Sequence, residues 1–249
     1  MLALVTGATA GFGAAIARRL VRDGGRVIGA GRRAERLDAL RAELGEAFLP
    51  WPLDVTSAEA VAALPGSLPE GWREVDALVN NAGLALGLGP AQDADLDDWE
   101  RMVETNVAGL MRMTRALLPG MVARDRGHVV NMGSIAATYP YPGGNVYGAT
   151  KAFVAQFTFN LKADLIGTGV RATVIEPGLV GGTEFSAIRF GGDAARAAKL
   201  YENAQPLTAD DIAEMVAWVI GLPENVDVTR IEVMPRSQAP AALAVKRTG

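Results

Sequence analysis

The chain has 249 residues, of which 49% are hydrophobic and 21% are charged, a composition typical of a folded globular protein rather than a disordered one. Its 24 basic and 28 acidic side chains give a formal net charge of -4, so no excess of positive charge favours nucleic acid or anionic lipid as a partner. The absence of cysteine excludes disulfides, thiolate catalysis and Cys-based metal sites, and it favours a cytoplasmic location.

Short apolar runs with the length of β-strands alternate with longer amphipathic stretches along the chain. The predicted strands are Leu2–Thr6, Arg26–Ala30, Phe48–Leu53, Ala77–Asn80, His128–Met132, Arg171–Glu176 and Ile231–Met234. The predicted helices include Phe12–Asp23, Glu35–Leu44, Leu96–Ala123, Tyr147–Leu165 and Ala209–Ile220. No apolar run approaches the roughly 18 residues that a membrane span requires, so we expect no membrane partner.

Alternating strands and helices predict an α/β protein with a parallel sheet. Because crossovers between parallel strands are right-handed, we expect one Rossmann domain over residues 1–249, with a doubly wound seven-stranded sheet and helices on both faces. The glycine-rich segment 178–203 is predicted to be a substrate lid, and 237–249 a C-terminal tail that is exposed or crosses a subunit interface. Ligands of such sheets bind outside the carboxyl ends of the strands.

The first predicted strand leads into a glycine-rich turn that opens the first helix. Such a turn lets a pyrophosphate approach backbone N–H groups, since glycine has no Cβ to hold the phosphates away. The predicted phosphate site comprises Gly7, Thr9, Gly11, Phe12 and Gly13. Its spacing differs from the G-x-G-x-x-G fingerprint, so the turn alone is also consistent with a tight connection that binds nothing.

The exit of the second predicted strand carries Arg32 and Arg33, where NAD-binding Rossmann folds have an acid. Guanidinium groups match the charge and geometry of a phosphate, so these arginines indicate a ribose 2′-phosphate and hence NADP(H). The alternative is that both arginines lie at a solvent-exposed helix start and bind no phosphate.

Two further strand exits carry small and polar residues. Asp54 and Val55 follow the third strand, where the carboxylate is placed to accept a hydrogen bond from the adenine amino group. Asn81, Ala82 and Gly83 follow the fourth strand and offer a small, flat surface for adenine and ribose. Each of these alone is also consistent with a turn or a cap.

The candidate catalytic residues follow the fifth predicted strand. Ser134 comes directly after that strand, and Tyr147 and Lys151 are four residues apart on the next helix, so they share one helix face. A nearby ammonium favours phenolate over phenol, so we expect Lys151 to lower the pKa of Tyr147 and to make it a general acid and base. Ser134 is then placed to hydrogen-bond the substrate oxygen. A Tyr–Lys pair in isolation is also common on ordinary helix surfaces.

Taken together, these residues resemble the short-chain dehydrogenase/reductase family over residues 1–236. The matching motifs are T-G-x-x-x-G-x-G at 6–13, N-N-A-G at 80–83, Asn106, Ser134, Y-x-x-x-K at 147–151, and Pro177–Gly178. The resemblance implies that Tyr147 exchanges the proton and that Lys151 binds the nicotinamide ribose. It also implies that Ser134 orients the carbonyl, and that Asn106 completes a proton relay to Lys151 through a water.

Within this family the chain is similar to the NADP-dependent 3-hydroxy acid dehydrogenases, also described as serine or L-allo-threonine dehydrogenases with malonic semialdehyde reductase activity. The similar segments are 6–13, 83–87, 143–153 and 176–185. This similarity implies reversible oxidation of the C3 hydroxyl of a short 3-hydroxy acid by a homotetramer, without a metal. The cofactor contacts that it implies after the sixth strand are Pro177, Gly178, Val180 and Thr183. Thr183 lies six residues after Pro177, where the family usually has five.

The substrate contacts are expected from small residues and one cation. Arg189, within the predicted lid, is a candidate for binding a substrate carboxylate, although a solvent-facing arginine is an equal alternative. Gly144 is a candidate for leaving room for a small substrate, beside Ser134. The alternatives to a 3-hydroxy acid dehydrogenase are a reductase of bulkier ketones or dicarbonyls and a non-catalytic NADP-binding redox sensor. The acid and base pair argues against the sensor.

Overall fold

The computed structural model describes residues 1–193, 195, 198, 201–202 and 204–240. Residues 194, 196, 197, 199, 200 and 203 of the predicted lid, and residues 241–249 of the predicted tail, lie outside the described residues.

Seven parallel strands form one sheet. They are β1 (Leu2–Thr6), β2 (Arg26–Gly31), β3 (Phe48–Pro52), β4 (Ala77–Asn80), β5 (Gly127–Met132), β6 (Val170–Pro177) and β7 (Arg230–Val233). The strand order is β3-β2-β1-β4-β5-β6-β7, which confirms the predicted doubly wound Rossmann sheet. Every strand end lies within one residue of its predicted position.

The strand order reverses between β1 and β4, which are neighbours in the sheet but not in the chain. Chain segments leaving these two strands turn to opposite faces, so a crevice opens above their carboxyl ends. The sheet therefore predicts where a ligand binds before any side chain is considered.

The helices are α1 (Gly11–Arg22), α2 (Ala34–Leu44), α3 (Ala58–Ser67), α4 (Leu96–Val103), α5 (Leu110–Ala123), α6 (Asn145–Asp164), α7 (Phe185–Arg189) and α8 (Ala209–Ile220). Side-chain oxygens of Ser57, Asp95 and Thr208 cap α3, α4 and α8, as their residue types favour. Helices α3 and α7 were not among the predicted ones. No helix in the described part of the chain is long and apolar enough to cross a membrane.

The predicted helix Leu96–Ala123 is interrupted in the middle. A π-helical segment, Glu104–Gly109, separates α4 from α5. Such segments are rare and occur mostly at functional sites, because they re-aim the side chains within them. Here the segment contains Asn106, which is buried.

Apolar clusters cover both faces of the sheet. On one face, Ile16 of α1 and Val216 of α8 pack over Val5 and Val27. On the other face, helices α3, α5 and α6 contribute Leu64, Leu117 and Leu161, which pack over Leu4 and Ile28. Burial on both faces explains why the strands are continuous apolar runs rather than alternating ones.

The chain's one histidine, His128, lies in this core at the start of β5, where it is 2% exposed. Its Nε2 lies 2.8 Å from Thr173 Oγ1, and that hydroxyl donates to the carbonyl oxygen of Val228 at 2.6 Å. Because the hydroxyl hydrogen is used for Val228, Nε2 must carry a hydrogen and donate it to Thr173. Burial, with a contribution from Arg171, lowers the pKa of His128 to about 3.

We predict that His128 makes the protein less stable in acid. In the unfolded chain His128 binds a proton near the ordinary histidine pKa of about 6.5. In the folded protein its imidazole stays neutral down to about pH 3. Stability is therefore lost as the pH falls through this window, by about 1.4 kcal/mol per pH unit. Urea unfolding of wild type and His128→Gln across this range measures the difference, because glutamine does not titrate. An imidazole NMR signal that titrates near pH 6.5 in the folded wild type would contradict the prediction.

Candidate active site

Side-chain hydrogen bonds join the exits of β1 and β4 at the crevice. Thr6 Oγ1 accepts from the backbone N–H groups of Asn81 and Ala82, at 3.0 and 2.9 Å. Asn81 Nδ2 donates to the carbonyl oxygen of Thr6 at 2.8 Å. The Asn81 side chain thus bonds to the backbone of β1. The loop presents the small residues Ala82 and Gly83 to the crevice.

The glycine-rich turn after β1 is packed too tightly for larger residues. Gly7 has a φ of +66°, in the left-handed region that favours glycine. A Cβ on Gly13 would lie 2.3 Å from the carbonyl oxygen of Gly7. No side chain caps α1, and its first turn has no acidic residue, so its N–H groups and helix dipole are available to an anion. This arrangement matches a phosphate group.

A cluster of cations lies beside this turn at the exit of β2. Arg33 donates from Nη2 and Nε to Thr9 Oγ1, at 2.9 and 3.2 Å. The carboxylate of Glu184 bridges Arg33 Nη1, at 2.9 Å, and Arg36 Nη1, at 2.8 Å. The arginines therefore already hold one anionic group in place.

Arg32 is exposed, on the side of the cluster next to Asp54. Partial burial acts to raise the pKa of Asp54, but hydrogen bonds from Thr56 and the charge of Arg32 give a net lowering. Asp54 thus stays ionised, with Oδ1 accepting from Thr56. Val55 is buried against Gly109, where an added Cβ would lie 2.8 Å from Val55 Cγ2.

The predicted catalytic residues come together at the exit of β5. Ser134 caps the short turn Ile135–Ala137, and its Oγ accepts from Ala136 N at 3.1 Å. Tyr147 lies in the first turn of α6, where the nearby Ser134 hydroxyl acts to lower its pKa. Lys151, one turn later, donates from Nζ to the carbonyl oxygen of Met132 at 2.8 Å.

Burial favours the neutral forms of both titratable groups in this cluster. It raises the pKa of Tyr147 to about 12, although the hydrogen bond with Ser134 and the Arg189 guanidinium act to lower it. It lowers the pKa of Lys151 to about 8. The sequence-based expectation that Lys151 lowers the pKa of Tyr147 is therefore wrong for the protein alone. The physical reason is that the phenol is enclosed, while Lys151 Nζ is bonded to Met132 and lies 5.8 Å from the ring centroid.

Asn106 fastens the loop after β4 to the catalytic helix. Its Nδ2 donates to the carbonyl oxygen of Leu84 at 2.8 Å and to Thr150 Oγ1 at 3.1 Å, and its Oδ1 accepts from Leu84 N at 2.9 Å. Gly83 lies between Asn106 and Lys151, since a Cβ there would be 3.2 Å from Asn106 Oδ1 and 3.6 Å from Lys151 Nζ. A proton relay through Asn106 stays a prediction.

The segment after β6 returns over the glycine-rich turn. Its predicted cofactor contacts are Pro177, Gly178, Val180 and Thr183. Pro177 ends β6, and Val180 forms an isolated parallel bridge with Leu207. Thr183 lies over the turn, since a Cβ on Gly11 would be 3.5 Å from Thr183 Cβ. Thr183 therefore borders the crevice from above, while the contact of Val180 with a cofactor stays a prediction.

Helix α7 covers the candidate catalytic tyrosine. The ring of Phe185 lies 5.9 Å from the ring of Tyr147, centroid to centroid. The Arg189 guanidinium lies 5.3 Å from the same ring and 5.3 Å from the ring of Tyr141. Arg189 is thus half-buried beside the candidate site, and its role towards a substrate stays a prediction.

Gly144 lies close to Tyr141 in the turn before α6. A Cβ on Gly144 would lie 3.0 Å from ring atoms of Tyr141, and one on Gly143 would lie 2.4 Å from the carbonyl oxygen of Leu88. The two glycines therefore let the turn before α6 pack directly against Tyr141 and the loop after β4.

The sequence reasoning missed four residues at the candidate site: Arg36, Tyr141, Glu184 and Phe185. Arg36 lies three residues after Arg33, so the two share one helix face, and this spacing could have identified Arg36 from the sequence. Glu184 and Tyr141 act through contacts with residues far away in the chain, and no local pattern distinguishes them from other surface residues.

The chain matches one known protein family. A family model described as short chain dehydrogenase matches residues 1–190.

Named relatives are similar over the whole length. An NADP-dependent 3-hydroxy acid dehydrogenase of Salmonella typhi is 59% identical over 248 residues, covering 100% of both chains. A serine 3-dehydrogenase of Agrobacterium fabrum is 51% identical, over 98% of this chain and 97% of that protein. Among solved structures, the closed form of a serine dehydrogenase complexed with NADP+ superposes with a TM-score of 0.98 at 55% identity, covering 100% of both chains.

We predict that Tyr147 stays protonated well above the ordinary tyrosine pKa in the cofactor-free protein. Burial holds its pKa at about 12, so the phenolate absorbance that Tyr147→Phe removes should appear only at strongly alkaline pH. Ultraviolet titration of both proteins measures it by difference. A Tyr147 phenolate that forms below the ordinary pKa of about 10 would instead support activation by Lys151.

Proposed function

Because the chain belongs to the short-chain dehydrogenase/reductase family, we propose that it is an NADP-dependent oxidoreductase of short 3-hydroxy acids. It interconverts the C3 hydroxyl and carbonyl groups of substrates such as serine, L-allo-threonine and 3-hydroxypropionate, whose carbonyl form is malonic semialdehyde. The observation that carries the proposal is the buried cluster of Ser134, Tyr147 and Lys151 at the exit of β5, beside the crevice between β1 and β4.

The donor groups of the crevice match NADP. The uncapped N-terminus of α1 and the turn at Gly7 suit a pyrophosphate, and the cations at the exit of β2 suit a 2′-phosphate. We assign the 2′-phosphate to Arg32 and Arg33, and the adenosine to the exits of β3 and β4, with Asp54, Val55 and Asn81–Gly83. The nicotinamide ribose is assigned to Tyr147 and Lys151. The nicotinamide is assigned to the segment with Val180 and Thr183.

The proton is moved by Tyr147. In reduction its Oη gives a proton to the substrate's carbonyl oxygen, and in oxidation it takes one from the hydroxyl. A phenol that is protonated at neutral pH is ready for the first of these steps. The bound cofactor supplies or accepts the hydride.

Ser134 and Lys151 orient the groups around that proton. Because Ser134 Oγ accepts from Ala136 N, its own hydrogen is free to be donated to Tyr147 or to the substrate oxygen. Lys151 donates one N–H group to the carbonyl oxygen of Met132. We assign its other N–H groups to the nicotinamide ribose and to the transfer of the reaction's proton towards solvent past Gly83.

The walls around Tyr147 favour a short, anionic substrate over a bulky ketone. Phe185, Tyr141 and the Gly143–Gly144 turn narrow the site, and the half-buried Arg189 places a positive charge beside the reacting group. We therefore assign the substrate carboxylate to Arg189, with Gly144 and Ser134 as further substrate contacts. The homotetramer and the cytoplasmic location stay predictions.

We predict that Tyr147→Phe lowers kcat by about 10²- to 10⁴-fold, because it removes the general acid but keeps the ring. Initial rates of NADPH formation with L-serine, L-allo-threonine and 3-hydroxypropionate measure the loss, and NADPH binding checks that the cofactor site is intact. Tyr139→Phe is the matched control, since Tyr139 Oη bonds Glu232 at the protein surface. Full turnover by the Tyr147 variant would remove the basis of the proposal.

A second prediction concerns the choice of cofactor. Arg32→Ala with Arg33→Ala should raise the KM for NADP by roughly tenfold to a hundredfold, because charge-assisted hydrogen bonds to a phosphate are lost, and should change the KM for NAD much less. Arg22→Ala with Arg101→Ala removes the same charge from exposed positions and serves as the control. Equal effects on both cofactors would show that the arginines do not recognise the 2′-phosphate.

A further inference from the structure

Arg189 has an unusual environment for a cation. Its Nε donates to the carbonyl oxygen of Gly87 at 3.2 Å, and its Nη2 donates to Tyr141 Oη at 2.7 Å. Gly87 N in turn donates to the carbonyl oxygen of Arg189 at 3.0 Å, so the residue is held at both its backbone and its side chain. Among the described residues no carboxylate pairs with it. A half-buried guanidinium without a partner acid leaves its positive charge available to an anion from outside the chain.

The hydroxyl of Tyr141 is oriented by this contact. Arginine has only donors, so Tyr141 Oη must accept from Arg189 Nη2 and keeps its own hydrogen for another acceptor. Gly144 lies beside the edge of the ring, where an added Cβ would be 3.0 Å from Tyr141 Cε1 and Cζ. An O–H donor therefore stands next to Arg189 Nη1, for which the described residues offer no hydrogen-bond acceptor.

We propose that Tyr141 donates a hydrogen bond to the substrate carboxylate, so that Tyr141 and Arg189 together form the subsite that selects 3-hydroxy acids over neutral alcohols. This inference rests on the proposed function and deepens it by adding a specificity-determining residue. A carboxylate has two oxygens, and adjacent donors from a phenol and a guanidinium are a good match for them.

The geometry of the subsite limits how far the reacting hydroxyl can lie from the carboxylate. Two carbon–carbon bonds separate the carboxyl carbon from C3, a distance of about 2.5 Å. The guanidinium lies 5.3 Å from the Tyr147 ring centroid, so a carboxylate held by Arg189 and Tyr141 keeps the reacting carbon near Tyr147 only if few bonds separate the two groups. This agrees with a hydroxyl at C3.

Tyr141 has two other conceivable roles that the test must separate. It touches Arg189 and so helps to position it, and it acts on Tyr147 electrostatically, raising the pKa of that residue. A role through Tyr147 changes the pH profile of every substrate alike. If Tyr141 acts only by positioning Arg189, replacing Tyr141 has no further effect on substrate preference once Arg189 is removed.

The experiment compares 3-hydroxypropionate with its methyl ester, which has the same reacting hydroxyl but no charge. Wild type, Tyr141→Phe, Arg189→Gln and the double variant are assayed with NADP, and the ratio of kcat/KM for acid over ester is measured for each. Tyr139→Phe is the matched control, and NADPH binding checks folding. We expect Tyr141→Phe to lower the ratio by about tenfold, mainly through the KM of the acid, and still to lower it by about threefold in the Arg189→Gln background.

Each contrary result has one meaning. A ratio that is unchanged by Tyr141→Phe, or an effect that vanishes in the Arg189→Gln background, overturns the inference. If Tyr141→Phe lowers kcat/KM equally for the acid and the ester and shifts the pH profile, the inference is also overturned, because Tyr141 then acts through Tyr147. If the wild type oxidises the ester as well as the acid, the subsite is wrong while the dehydrogenase activity stands. If the wild type oxidises neither, the proposed function itself fails.

Discussion

The site depends on one constraint of the backbone, the pairing of β1 with both β2 and β4. Since all seven strands are parallel, β1 and its neighbours end at one edge of the sheet, and the reversal of strand order between β1 and β4 opens a crevice there. Thr6 and Asn81 close that crevice from below with hydrogen bonds, which fixes the turn that begins at Gly7. The catalytic helix is attached to the same edge through the bond from Lys151 to Met132.

Burial shifts the pKa values of both titratable groups in the candidate site. Desolvation raises the pKa of Tyr147 to about 12 and lowers that of Lys151 to about 8, so at neutral pH the phenol is protonated and the lysine is still mostly an ammonium. A neutral phenol next to Ser134 is a hydrogen-bond donor, and the Arg189 guanidinium lies 5.3 Å from the same ring. The candidate site therefore combines a proton donor with two basic side chains.

Sequence periodicity was sufficient for the sheet, because buried parallel strands are apolar runs whose ends are marked by turn residues. The motif residues at the strand exits were also predictable, since topology brings those ends together. The π-helical turn around Asn106 was not, because one extra residue in a helical turn leaves no mark in an apolar pattern. The pairing of Glu184 with Arg33 was missed for another reason: it joins residues 151 positions apart.

Helix α7 contacts residues far away in the chain at both of its ends. Glu184, just before this helix, is bonded to Arg33 and Arg36 at the cofactor end of the site. Arg189, at its last residue, is bonded to Tyr141 and lies over Tyr147 at the substrate end. A helix of five residues thus connects the arginines assigned to the 2′-phosphate with the cation assigned to the substrate. A displacement of α7 moves Glu184 and Arg189 together, so the contacts of Arg33 and Arg36 are linked by geometry to those of Tyr141.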